Sequence, residues 1–318
     1  MRLARIEDVD INRFEFDLDL TMMIFFLNPD GKVYARYGGR DSEDADNRQS
    51  LAGLRYTMES VLAMHKQMQP LFAEPTSAKP LLANELGKRR KGCMHCHIAK
   101  EMMNTQLVGQ GKWTRDLVWR YPPPDNLGIV LDVNRGNVIK QIKPESSGAK
   151  LGLKPGDKLQ LLNKVPIHSF GDAQFALDRA PTKGSISVSW LRAEKTLTGD
   201  LNLPEGWRQT DYSWRASMRG RVPSLHVNGK DLTPAEKEGF GLPPNQVAFR
   251  QADTVHSHAR KAGVQAGDII LGIDDRPFTG TADAFLQWVR GNYVVGDRVL
   301  INVLREGRRL TIPMTLIQ

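Results

Sequence analysis

The chain has 318 residues, of which 25% are charged and 40% hydrophobic, a composition typical of ordinary globular domains. No run approaches the roughly 18 apolar residues that a membrane-spanning helix needs, and the longest apolar burst is only MMIFFL at residues 22–27. The formal charge of +8 comes from scattered basic residues, with one tight run (KRRK) at residues 88–91. The sequence therefore predicts neither a transmembrane segment nor nucleic-acid binding.

The N-terminal part predicts a hairpin followed by a helix. Residues 22–27 form a continuous apolar run and residues 32–37 (KVYARY) alternate, so both predict strands around the turn sequence NPDG. Residues 50–68 carry apolar side chains at helical spacing. Strand, turn, strand and helix is the order found in the C-terminal half of a thioredoxin fold.

The only two cysteines of the chain, Cys93 and Cys96, are followed directly by His97 in the pattern C-x-x-C-H. This pattern predicts covalent attachment of haem c, with both thiols linked to the porphyrin and the His97 imidazole on the iron. Three other interpretations stay open, namely a redox-active dithiol, a metal site and a structural cysteine pair. Too few residues follow the motif for an ordinary cytochrome domain, so the pattern alone does not decide among them.

The C-terminal two thirds contain an internal repeat. The pattern G-x-x-x-G-D, followed by an apolar strand, begins at Gly152 and again 111 residues later at Gly263. Glycine allows the positive φ of a tight turn, and the aspartate can hold that turn by accepting backbone N–H groups. A helix-like stretch and two strands joined by a charged turn follow each copy. The sequence therefore predicts two domains of one plan in tandem.

The repeated pattern resembles the PDZ family in the arrangement found in HtrA-type proteases, over about residues 124–203 and 239–317. The resemblance implies that a peptide C-terminus binds as an added strand, with its carboxylate held by backbone amides. The loops that would hold the carboxylate are Asn126, Leu127, Gly128 and Ile129 in the first copy, and Gly241 and Leu242 in the second. The alternative is that both copies are spacers or intramolecular docking units.

The order of these parts resembles the bacterial thioredoxin-like/PDZ domain (seleno)protein family, truncated at its N-terminus. The stretches that carry the match include GCMHCH, GKWTRDLVWRYPPPDNLG and LPEGWRQTD. The resemblance implies a periplasmic or cell-envelope protein, and a missing strand and helix that bear the redox cysteine or selenocysteine. Charged residues interrupt the first ten positions, so the sequence as given shows no signal peptide and would be cytoplasmic if its start is real.

We therefore expect an α+β multidomain chain, with a partial thioredoxin-like α/β unit followed by two PDZ-like β-barrel domains. The predicted boundaries are 1–70 for the thioredoxin-like part, 71–123 for the C-x-x-C-H connector, 124–205 for the first PDZ domain, 206–238 for an inter-domain segment and 239–318 for the second PDZ domain.

The function predicted from the sequence is binding of peptide C-termini or partner proteins, by a protein that is not an enzyme and has a redox-accessory or haem-bearing segment. The alternative is a thiol–disulfide oxidoreductase, with Cys93 and Cys96 as its redox pair, whose PDZ domains recruit substrates. A protease is disfavoured at this point because no serine lies in a G-x-S-x-G setting.

Overall fold

The structure is a computed structural model that describes residue 6 and residues 8–66, 81–86 and 94–318. The described residues form two compact units. The first runs up to Thr210 and includes Trp214–Ser217, and the second comprises Asp211–Ser213 and Met218–Gln318. No helix in the described ranges is long and apolar enough to cross a membrane.

The first unit begins with the predicted hairpin and helix. Strands β1 (Ile24–Leu27) and β2 (Val33–Tyr37) pair in antiparallel fashion, and helix α1 (Leu51–Lys66) follows. The Asn28 side chain accepts a hydrogen bond from the Lys32 N–H at 2.8 Å and closes the turn. Helix α2 (Cys96–Gly109) comes next. The hairpin and the helix α1 are thus confirmed as local elements.

Their packing differs from the predicted thioredoxin-like unit. Among the described strands, β1 and β2 form a sheet of two strands and join no larger sheet. Helix α1 lies against β2 and also against the chain near Val133, since a Cβ on Gly53 would be 2.2 Å from the Val133 carbonyl oxygen. Strand–turn–strand–helix order follows from local periodicity, which does not specify the surface on which the elements pack.

The first repeat, which we define as residues 124–203, completes the first unit. Its strands are β3 (Ile129–Leu131), β4 (Ile139–Ile142), β5 (Lys158–Leu162), β6 (Val165–Pro166), β7 (Gly184–Arg192) and β8 (Lys195–Leu203). Strands β3 and β4 pair with each other, and the other four form a sheet in the order β6-β5-β7-β8. Helices α3 (Ser147–Lys150) and α4 (Phe170–Asp178) lie between strands.

The second repeat, defined as residues 224–317, forms one five-stranded sheet in the order β13-β12-β11-β10-β9. Its strands are β9 (Gly229–Asp231), β10 (Phe249–Gln251), β11 (Ile269–Ile273), β12 (Arg298–Arg305) and β13 (Arg308–Thr315). Its helices are α5 (Pro234–Gly239), α6 (Ser257–Ala262) and α7 (Ala282–Asn292). Strand β9 falls inside the predicted inter-domain segment 206–238, so the second domain begins earlier than residue 239.

Each repeat holds its glycine turn with an equivalent ion pair, in which the aspartate is buried and the arginine is partly exposed. The carboxylates of Asp157 and Asp268 are 2% and 1% exposed, and each accepts a backbone N–H from the residue three positions earlier at 2.8 Å. Arg192 binds Asp157, and Arg305 binds Asp268, with two nitrogens each at 2.7–2.8 Å. The predicted role of the aspartate in fixing this turn is confirmed in both copies.

Candidate functional site

The second repeat contains an open cleft of about 590 Å³ between β9, the end of β10 and α7. Strand β9 is at the end of the sheet order, so one of its edges has no neighbour among the described strands. The residues that line the cleft are Asn228, Gly229, Lys230, Arg250, Gln251, Ala252, Asp253, Ala282, Asp283 and Leu286. An edge strand beside a helix is the arrangement to which an extended peptide adds as a further strand.

Helix α7 is held beside β9 by its first turn. The Asp231 carboxylate accepts the Ala282 N–H at 2.8 Å, and the Thr281 side chain caps the helix by accepting the Ala284 N–H at 3.3 Å. Phe285 and Val289 lie in the core and are at most 1% exposed. The helix is therefore fixed through its buried face, while another face stays in solvent.

The lining of the cleft combines apolar and charged side chains. Ala282 and Leu286 supply apolar surface from the helix, and Lys230, Asp253 and Asp283 are exposed charges. Arg250 lies 3.6 Å from Glu236 and is partly neutralised there. Such a lining suits a peptide that buries one or two apolar side chains and leaves its polar ones near solvent.

The strand pairings align the two repeats residue by residue. In each repeat, one residue donates its backbone N–H to the carbonyl of the buried aspartate, at 2.8 Å for Ile139 and 2.7 Å for Gln251. Ile139 pairs with Leu131, and Gln251 pairs with Gly229. Leu131 and Gly229 are therefore structurally equivalent.

A loop lies just before Leu131 in the first repeat and before Gly229 in the second. We call it the carboxylate loop, and it comprises residues 126–129 and 224–227. Gly128 and His226 are equivalent in it, and both have a left-handed backbone, with φ of 80° and 51°. The preceding leucines, Leu127 and Leu225, are 1% and 2% exposed and anchor the loop in the core. The sequence pattern missed the second loop because a histidine stands where the motif expects glycine.

The residues predicted for the second carboxylate loop lie elsewhere. Gly241 and Leu242 directly follow α5, and Leu242 is 5% exposed in a cluster with Leu232 and Ile269. Neither residue lines the cleft. The structural counterpart of residues 126–129 is residues 224–227 and not the predicted Gly241 and Leu242, because α5 is an insertion between β9 and β10 that the repeat pattern does not reveal.

The carboxylate loop predicted for the first repeat does precede β3. Leu127 and Ile129 are each 1% exposed, and the Gly128 N–H bonds the Asp125 carbonyl at 3.0 Å. The Asn126 side-chain amide donates to the Gln209 carbonyl at 3.3 Å. Peptide binding by these four residues stays a prediction.

Helix α4, the counterpart of α7, is covered by the N-terminal segment at residues 36–53. The Arg36 N–H donates to the Asp172 carboxylate at 2.8 Å. The Arg48 guanidinium lies 3.0 Å from the Asp125 carboxylate and 5.1 Å from the Phe170 ring centroid. Every α4 residue from 170 to 177 is buried. The cleft of the second repeat is therefore the better candidate for ligand binding.

The cysteine motif gives no reactive site in the described residues. Cys93 lies outside them, and Cys96, at the start of α2, is a half-buried free thiol packed against a cluster that includes Ile11 and Leu18. Burial raises the pKa of the Cys96 thiol, which disfavours the thiolate that redox chemistry needs. No group of three or more His, Cys, Asp or Glu residues in the described ranges is arranged to hold a metal. Haem attachment at Cys93, Cys96 and His97 stays a prediction.

A serine–histidine pair in the first unit was not evident from the sequence, because 108 residues separate its members. The Ser60 hydroxyl lies 2.8 Å from Nδ1 of His168. Burial lowers the pKa of His168 to about 4, and its Nε2 has no hydrogen-bond partner among the described residues. Without a carboxylate on that nitrogen, the pair is not a Ser-His-Asp triad.

Comparison with known protein families identifies the class of the second repeat. The family model of the PDZ domain matches residues 247–316. A likeness to the solved structure of the HtrA-type protease AlgW with tripeptide covers 33% of this chain and 34% of that chain, at 25% identity and a TM-score of 0.28. The chain thus contains a PDZ domain.

The curated relatives are proteases. The chain is 29% identical over 153 residues to the periplasmic serine endoprotease DegP of Salmonella typhimurium, covering 48% of this chain and 29% of that protein. It is 29% identical over 175 residues to the periplasmic pH-dependent serine endoprotease DegQ of Escherichia coli, covering 51% of this chain and 36% of the relative. The chain therefore spans about a third of the length of these relatives and is homologous to HtrA/DegP serine proteases.

These findings correct the predicted function. The comparisons contradict the predicted redox-accessory or haem-bearing function and the non-enzyme and oxidoreductase predictions, since the relatives are serine endoproteases. The attachment of haem itself stays a prediction. The thioredoxin-like part of the family resemblance receives no support, whereas the PDZ part is confirmed. A five-residue cysteine motif is short enough to arise by chance, and it outweighed the longer repeat in the sequence interpretation.

Proposed function

We propose that this chain serves HtrA-type serine endoproteolysis in the periplasm, and that its PDZ domain at residues 224–317 recognises the substrate. The observation that carries the proposal is the open cleft beside β9, whose free edge and flanking helix suit an extended peptide. The relatives support the proteolytic setting and the periplasmic location through their own described activities.

Recognition by strand addition follows from the geometry of β9. Ligand backbone groups would pair with the free edge of this strand, which satisfies them without any demand on sequence. Gly229 keeps the strand close to β10, because a Cβ there would lie 1.9 Å from the Arg250 carbonyl oxygen. Selectivity would come from the helix side, where Leu286 offers apolar contact and Asp283 a negative charge.

The hydrolytic step is assigned to a serine protease domain of the kind that the relatives carry, in a longer form of this chain or in a partner subunit. Ser60 and His168 are not assigned this step, because no carboxylate orients the imidazole. The chain's own contribution is then to capture an extended segment and raise its local concentration at the protease.

Peptide binding is tested with the Leu286→Arg variant, which places a charge and extra bulk in the cleft. The probe is a fluorescein-labelled decapeptide that ends in three valines with a free carboxylate, followed by fluorescence anisotropy. We expect at least tenfold weaker binding, because the arginine removes apolar contact and obstructs the strand edge. The matched control is Gln287→Arg, the same change in charge on the adjacent exposed position of α7. Equal affinities for both variants would contradict the assigned cleft.

The proteolytic setting is tested in cells of the source organism that lack this gene. We expect an unfolded periplasmic reporter to persist longer in these cells, and the Gln287→Arg chain to restore its turnover while the Leu286→Arg chain does not. Unchanged reporter turnover in the deletion strain would reject the proteolytic role even if the peptide binds.

A further inference from the structure

The carboxylate loop of the PDZ domain is turned by a histidine with a left-handed backbone. His226 has φ of 51°, where its counterpart Gly128 has φ of 80°. Residues with a Cβ rarely adopt this conformation, whereas glycine does so at little cost. The contacts of the His226 side chain must therefore help to hold the loop in place.

Those contacts are made mainly with other histidines. The His226 ring stacks on the His256 ring, with centroids 4.1 Å apart and planes inclined by 14°. The His258 ring meets His226 edge to face at 5.9 Å and is itself hydrogen-bonded to the Thr315 carbonyl at 2.7 Å. Nε2 of His226 lies 3.1 Å from the Gln318 carbonyl. The three rings therefore join the loop to α6 and to the end of β13.

In the first repeat, the positions that correspond to His226 and His256 carry no titratable side chain. His256 is the N-cap of α6, and Ser146 is the N-cap of α3, the corresponding helix. A Cβ on Gly128 would lie 2.0 Å from the Ser146 hydroxyl, so glycine and serine fit together there. The second repeat thus has a stacked histidine pair where the first has glycine and serine.

The surroundings of His226 favour its neutral form. Burial and the neighbouring His256 and His258 lower the pKa of His226, while its hydrogen bond to the Gln318 carbonyl opposes them. The other charged residues of α6, Arg260 and Lys261, are exposed cations and cannot offset a second positive charge.

We propose that proton uptake by His226, whose ring stacks on His256, releases the carboxylate loop, so that peptide binding weakens as the pH falls below neutrality. A positive charge on the His226 ring is disfavoured by its burial and by the neighbouring rings, so protonation weakens the stack that holds the left-handed turn. This inference rests on the proposed function of the cleft and adds its regulation by pH. His226 acts as a positioning residue, since its ring packs against α6.

The test measures anisotropy of the same valine-ended decapeptide between pH 8.0 and pH 5.5. We expect the wild-type Kd to rise about tenfold over this range. For His226→Gly and for His256→Ser, which restore the residues of the first repeat, we expect a rise of less than twofold. Glycine tolerates the left-handed backbone, so the first variant should fold, and circular dichroism at each pH checks this.

The control is His95→Gln, an exposed histidine in the other unit, which should keep the wild-type ratio. A flat wild-type profile, or an unchanged ratio in His226→Gly, would overturn the pH inference while leaving the proposed function intact. Absence of binding by the wild type at every pH would instead reject the proposed function.

Discussion

Helices α4 and α7 occupy the same position in the two repeats but have opposite surroundings. All residues of α4 from 170 to 177 are buried, whereas α7 exposes Asp283, Gln287 and Arg290 and lines an open cleft. The cover on α4 comes from residues 36–53, which lie outside the repeat. Duplication of a domain plan therefore does not duplicate an accessible binding surface, since the rest of the chain decides which helix stays open.

The composition of each helix fits its surroundings. Two buried side chains of α4 bond the cover and the preceding chain: Asp172 accepts the Arg36 N–H, and the Gln174 amide donates to the Tyr121 carbonyl at 2.8 Å. The polar residues of α7 face solvent and need no such partners. Removal of the cover would break these hydrogen bonds and expose apolar residues of α4 such as Phe170 and Phe175, so it should reduce stability.

The largest expected effect concerns a feature that the repeats share. Asp268→Ala should reduce the free energy of unfolding of the second unit by about 3 kcal/mol, because it removes the hydrogen bonds that the buried Asp268 carboxylate makes with Arg305 and with the turn backbone. Asp157→Ala should affect the first unit similarly. Hydrogen exchange followed by mass spectrometry reads the two units separately. Asp253→Ala, at an exposed position, is the control, and a strongly unequal loss in the two units would show that the turns are not equivalent.

The second-largest expected effect is a dependence of the stability of the first unit on pH. Burial raises the pKa of Asp172 to about 7, although Arg36 and three hydrogen bonds oppose this. The native state then keeps its proton up to about pH 7, while the unfolded chain releases it near pH 4. Stability of the first unit should therefore fall as the pH rises, by about 2 kcal/mol between pH 5 and pH 8, and then level off.

Asp172→Asn should flatten this dependence, as measured by urea unfolding at each pH with exchange readout for the first unit. Asp283→Asn, on the solvent side of α7, is the matched control and should leave the stability profile of the second unit as it was. A first unit that is equally stable at pH 5 and pH 8 would contradict the buried protonated carboxyl.

The smallest effect compares the two helix caps. The Ser169 hydroxyl caps α4 and also donates to the Arg36 carbonyl of β2, whereas Thr281 only caps α7. We expect Ser169→Ala to lower the free energy of unfolding by about 2 kcal/mol and Thr281→Ala to lower it by about 1 kcal/mol. Only the first substitution also removes a tertiary hydrogen bond. Chemical denaturation of both variants checks the difference. Equal losses of stability in the two variants would mean that the hydrogen bond from Ser169 to the Arg36 carbonyl contributes little.

The sequence was informative where a local pattern determines a local structure. The NPDG turn, helix α1 and the two G-x-x-x-G-D turns all depend on neighbouring residues, and they were predicted correctly. Strand β9 has only three residues, Gly229, Lys230 and Asp231, which carry no apolar pattern. It was therefore missed, and with it the correct start of the second domain.

Long-range packing was beyond the sequence pattern. Nothing near Arg36 or Arg48 indicates that these side chains cover a helix more than a hundred residues away, since the contact depends on tertiary structure. The loop at His226 was missed for a different reason, because its left-handed turn lacks the expected glycine. The internal repeat did contain this information, but only the strand pairings of both copies reveal the equivalence of Gly128 and His226.

The position of β9 has a consequence for anyone who prepares a shorter recombinant version of this protein. A fragment that starts at residue 239 would lose β9 and leave β10 as a bare sheet edge. Bare edges invite edge-to-edge association and fibril growth. A fragment that starts at residue 211 would keep β9, a short edge strand of three residues held beside α7, and is expected to remain monodisperse at concentrations suited to crystallisation or NMR.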